Sequence, residues 1–102
     1  MEVFYELGTY RGADYHLSGR HGRDWSTQIH CDVAQVEEAI QIVRIDTSHG
    51  SSEIHRLYRR DEPVEPIDVD GFWEAVEHLC ARWRWYARRH YANVHLPVPD
   101  TQ

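Results

Sequence analysis

Lysine is absent from this 102-residue chain: all 11 of its basic side chains are arginine. With 17 acidic residues the net charge is −6, and an acidic chain is a poor general binder of nucleic acid. Any phosphate recognition must therefore rest on a local arginine cluster. Arginine in place of lysine, with an acidic excess, suits a GC-rich genome or a salt-adapted source. At high salt such a cluster would work by hydrogen bonding and stacking more than by long-range attraction. Long apolar runs are missing too, so nothing spans a bilayer. The opening residues, Met1 to Glu6, hold no basic segment and no cleavage signal, and a cytoplasmic protein is expected. Cysteine is scarce. Cys31 and Cys80 stand far apart and outside any C-x-x-C pair, which predicts two buried free thiols and gives little support to a disulfide or a zinc site. There is no internal repeat, linker or low-complexity segment.

What is present is a chain 41% hydrophobic and 27% charged, the composition of one packed domain over residues 1–102 with a modest core. Val3, Tyr5 and Leu7 alternate with Glu2 and Glu6 as in a first strand, and Gly8, Gly12 and Asp14 read as turn residues. Tyr15 and Leu17 suit a short second strand. The polar stretch 19–24 reads as a hairpin connection. The clearest strand runs from Trp25 to Val33, with Trp25, Thr27, Ile29, Cys31 and Val33 on one face and Ser26, Gln28, His30 and Asp32 on the other. From Glu38 to Asp46 the pattern is ambiguous: either a strand buried on both sides or one with a bulge near Ile42 and Val43. A further strand is expected over Ile54 to Arg59, after which Pro63 and Pro66 end the sheet.

Residues 68–92 then read as one helix, with Asp68 or Asp70 as N-cap. Phe72, Val76, Leu79, Cys80, Trp83, Ala87 and His90 form its core face. Acidic residues lie near its start and arginines near its end, as the macrodipole favours. Residues 96–102 are expected to be an extended tail. The predicted fold is thus α+β, an antiparallel meander of about four or five strands over residues 1–60 packed against one long C-terminal helix.

One segment concentrates chemistry. Asp46 and His49 leave one strand and His55 opens the next, so a turn between neighbouring strands would bring the two histidines together as general base and general acid, with Asp46 orienting one of them. Arg44, Arg56 and Arg59 would hold a phosphate and neutralise developing charge, and Tyr58 would align a phosphoryl oxygen. RNA cleavage needs that inventory and no metal or other cofactor, because the 2′-hydroxyl is the internal nucleophile. The plain structural alternative has Asp46 capping the turn, Gly50 supplying a positive φ and the histidines solvated. A metal alternative uses Asp46, His49 and His55, or His30 with Asp32. On the helix, His78, Arg82, Trp85 and Arg89 share a face opposite the core. An outward Trp85 flanked by Arg82 and Arg89 suits a protein interface, or stacking on a base.

The stretch Arg44-Ile45-Asp46-Thr47-Ser48-His49-Gly50, followed by His55-Arg56, resembles an Arg-Tyr-Asp-x-Ala-His-Gly signature of small prokaryotic proteins. It is similar in its order of elements to the TumE toxin family of toxin–antitoxin modules. Ile45 and Ser48 stand where that signature has Tyr and Ala. The resemblance implies a growth-inhibiting toxin acting on RNA, with an antitoxin as its protein partner, and bears on Asp46, His49, Gly50, His55 and Arg56. The alternative expectation is a non-catalytic interaction module that forms a homodimer or binds another protein through its helix.

Overall fold

The strict alternation of Trp25–Asp32 carries over directly into structure. In a computed structural model describing residues 1–32, 39–48, 50–59, 61 and 63–95, this segment is a strand with Thr27, Ile29 and Cys31 buried and Ser26, Gln28, His30 and Asp32 half-buried on the other face. It is the third of six strands: β1 (Glu2–Tyr10), β2 (Ala13–His21), β3 (Trp25–Asp32), β4 (Ile40–Ser48), β5 (Ser51–His55) and β6 (Val64–Pro66). One helix follows, α1 (Phe72–His95). The strands pair in chain order, each antiparallel to the next. The helix lies across β1 to β4 on one face. This is the expected α+β meander with its C-terminal helix.

Several boundaries differ from the sequence expectation. β2 continues through Gly19 to His21 instead of turning there, and pairs with β3 as far as His21 opposite Trp25. Gly8 and Gly19 are strand residues over which helix aromatics close in: a Cβ at Gly8 would stand 2.8 Å from Trp83, and one at Gly19 would stand 3.0 Å from Phe72. β4 contains the bulge. Ile29 opposes Val43 while His30 opposes Gln41, so Ile42 is the extra residue, and both Ile42 and Val43 are fully buried. β5 ends at His55; beyond it a turn forms in which Arg59 N donates to Arg56 O at 3.1 Å, so 56–59 is not strand. The two prolines do not end the sheet. Val64–Pro66 make β6, an edge strand that includes the second proline, where a residue without an N–H is tolerated.

The helix begins at Phe72, after Gly71, and not behind a side-chain cap from Asp68 or Asp70. Glu74 in its first turn accepts a hydrogen bond from the Asp70 backbone N–H at 3.1 Å. Its buried face is Phe72, Ala75, Val76, Leu79, Trp83, Tyr86 and Ala87, packed on Tyr15, Leu17, Ile29, Val43 and Ile45 of the sheet. Burying each of the larger side chains contributes roughly 1.5–3 kcal/mol. Cys80 and His90, expected on that face, are only half-buried. No helix among the described residues is long and apolar enough to cross a membrane. Residues 33 and 38, the 96–102 tail and His49 lie outside the described residues.

Candidate functional site

Because α1 covers only one face, the alternate residues of each strand stand on a face over which no other described element packs. Register aligns them in rows. Ser18, Gln28, Arg44 and His55 lie side by side across β2 to β5, and Arg20, Ser26, Asp46 and Glu53 form the next row. Such cross-strand neighbours have Cβ atoms about 4.5–5.5 Å apart.

Asp46 is the hub of the β4–β5 part. Its Oδ2 accepts a hydrogen bond from Arg44 Nε at 2.9 Å, and its Oδ1 is 3.3 Å from His55 Nε2. The His55 tautomer with its proton on Nε2 donates to that oxygen. Arg44 also donates through Nη1 to Gln41 Oε1 at 3.0 Å, which fixes the guanidinium. The Asp46 and His55 side chains are 19% and 18% exposed, so both are partly desolvated yet reachable. Glu53 opposes Asp46 directly, and ligand-type atoms of Asp46, Glu53 and His55 all lie within 4.8 Å of one another. Two carboxylates directly opposite each other are unfavourable in a sheet; here Arg44 and His55 offset the repulsion by bonding Asp46. Two carboxylates and an imidazole form a donor set suited to a divalent cation, but the Arg44 guanidinium already holds one Asp46 oxygen and opposes a second cation there.

The neighbouring part of the face is a histidine stack. His16 and His30 lie nearly parallel with centroids 4.7 Å apart, and the exposed Phe4 stacks on the outer side of His16 at 4.8 Å. His16 Nδ1 is 2.6 Å from Asp32 Oδ2, so Asp32 pairs with His16 and not with the His30 expected beside it in a metal site. His30 Nε2 lies 3.1 Å from Ser18 Oγ, which accepts from Gln28 Nε2 at 2.6 Å. Burial, aided by the adjacent His16, pushes the His30 pKa down. Its Nδ1 is buried without a hydrogen-bond partner among the described residues. Gln28, next to Arg44, joins this stack to the Asp46 cluster.

Of the residues singled out from sequence, Arg44, Asp46 and His55 come together as expected. Ser48 and Ser51, the paired residues that flank the turn, lie at the opposite end of the β4–β5 ladder from the Arg44–His55 pair. At a rise of about 3.4 Å per residue that is ~14 Å along the strands. Arg56 is on the helix side, 3.0 Å from Glu65 Oε1. Tyr58 is buried against Tyr86, and Arg59 lies 3.5 Å from Asp61. None of these three reaches the Asp46 cluster. Arg82, Trp85 and Arg89 are exposed on α1, as expected, with Arg89 4.7 Å from the Trp85 ring centroid. Glu53 was hidden because the sequence reading placed it in a turn. Its alternation with Ile54 and His55 was the available signal.

A family model for a domain of unknown function, DUF7718, matches residues 6–96. The chain belongs to that family. The match spans the whole sheet beyond the first residues of β1 and the whole helix, so the DUF7718 unit includes both the open face and its helical support. No curated protein and no solved structure matches the chain.

Proposed function

We propose that this DUF7718 protein is a toxin-type endoribonuclease that works without a metal from the open face of its sheet. The observation that carries this reading is the grouping of Glu53, His55 and Arg44 around Asp46: a base, an acid and a fixed cation on two paired strands. Glu53 takes the role that the sequence suggested for His49. It removes the proton from a ribose 2′-hydroxyl, whose oxygen attacks the adjacent phosphorus. The P–O5′ bond breaks, and protonated His55 gives its proton to the departing 5′-oxygen. The products are a 2′,3′-cyclic phosphate and a 5′-hydroxyl end. Arg44 faces the negative charge that grows on the non-bridging oxygens. Asp46 holds both Arg44 and the imidazole in place. An antitoxin is the partner that this reading carries with it.

The test is induced expression of the wild type and of His55→Gln, with growth and total RNA followed together and cleavage repeated on purified protein in chelator. Arrest with RNA cut to cyclic-phosphate ends, lost in His55→Gln and unaffected by chelator, is the expected result. Arrest that persists in His55→Gln with intact RNA would replace catalysis by binding through the helix. No arrest and no cleavage by the wild type would end the toxin reading.

A further inference from the structure

The opposite side of the sheet holds a second feature, independent of the Asp46 cluster. Between β5, the segment after β6 and the middle of α1 lies a cavity of about 490 Å³, within the range of small-molecule sites. Ile67 and neighbouring apolar groups form one side of it. Trp85 and Tyr86 give it aromatic walls, and Arg56 and Arg82 bring two guanidinium groups from different elements.

Neither arginine is fully engaged. Arg56 Nη1 is 3.0 Å from Glu65 Oε1 but is buried without a hydrogen bond among the described residues. Arg82 donates one N–H to the His78 carbonyl at 3.3 Å and forms no ion pair among the described residues. His78 also lines the cavity, and burial with both arginines nearby pushes its pKa down, leaving the ring neutral. Its Nε2 is 3.4 Å from the Tyr86 hydroxyl, which burial keeps protonated. In a chain of net charge −6, two cations facing an apolar, aromatic-walled hollow form a local site for negative charge.

We propose that this cavity binds a small planar organic anion, with its charged group on Arg56 and Arg82 and its ring against Trp85. Guanidinium groups suit carboxylate and phosphate equally, and the exposed Trp85 accepts a flat ring. An aromatic carboxylate and a mononucleotide share this chemistry, and the experiment separates them.

Calorimetric titration of the full chain with uridine monophosphate and with indole acetate, each beside neutral uridine or indole, tests the proposal. At least one anion should bind, with its neutral counterpart weaker by about ten-fold or more. Preference for the nucleotide assigns a phosphate ligand, and preference for indole acetate assigns a carboxylate. Arg82→Gln, at an exposed helix position, should weaken binding by about five-fold or more. Arg56→Gln should do the same, provided its far-ultraviolet circular dichroism matches the wild type. No anion binding up to about 5 mM, equal binding of the neutral compounds, or unchanged affinity in Arg82→Gln would overturn the proposal.

Discussion

Gly19 of β2 lies directly beneath the ring of Phe72, the first residue of the helix. A Cβ there would stand 3.0 Å from two ring carbons and 3.2 Å from the Ser26 carbonyl oxygen. The ring has little room to retreat, because His21 stacks on it at 4.7 Å and Trp25 and Trp73 meet it edge-on. Gly19→Ala should therefore destabilise the fold by about 1–3 kcal/mol, read as a lower urea midpoint at unchanged slope. A midpoint equal to the wild type would mean that the helix start is not held against β2 by this contact.

That contact also shows why part of the fold escaped sequence reading. Glycine in a polar stretch signals a turn, whereas here Gly19 serves the close approach of a ring fifty-odd positions later. β6 was concealed in the same way, since prolines mark the end of most strands and are accepted only at an edge. β3 and the helix were legible because their periodicity follows directly from which face is buried. The open-face site was half legible. Arg44 and Asp46 alternate within one strand, so their shared face follows from pattern alone, and His55 joined them once β4 and β5 paired. The fate of Arg56 depended on where β5 stops, and no local signal marks that boundary.

Asp46 organises the cluster on β4 and β5, and removing its charge should separate chemistry from folding. In Asp46→Asn the Arg44 guanidinium loses its ionic partner, but the repulsion from Glu53 is relieved at the same time. Both groups are partly solvated, so stability should move by about 1 kcal/mol or less. RNA cleavage should fall by about 100-fold or more, the scale of a misplaced acid and phosphate ligand. Undiminished cleavage by a folded Asp46→Asn protein would remove Asp46 from the mechanism.

Both thiols should be sluggish in the native state. Cys31 is buried against Tyr15 and Cys80 is half-buried on the helix, and in each case burial pushes the thiol pKa up. Since the thiolate is the reactive form, an aromatic disulfide reagent should titrate neither rapidly in the folded chain and both after guanidinium unfolding. Rapid reaction of Cys31 in the native protein would show that the β3 core face opens to solvent.

Stability should depend on pH through the two histidines whose neutral form the fold favours. His30 lies in the stack with His16, next to Ser18, with the Asp32 carboxylate only partly opposing the effect; His78 faces Arg56 and Arg82. Both have their pKa lowered from the ordinary 6.5, so protons bind more readily to the unfolded chain. Between the lowered folded-state value and 6.5 the unfolded state therefore holds more protons, and stability is lost as pH falls through that window. It is fully present above the ordinary value. Urea titrations from about pH 7.5 to 5 should show a falling midpoint, with a shallower fall in His30→Gln and in His78→Gln. The difference between each variant and the wild type reads the contribution of that histidine. Parallel curves would mean that neither imidazole is held neutral by the fold.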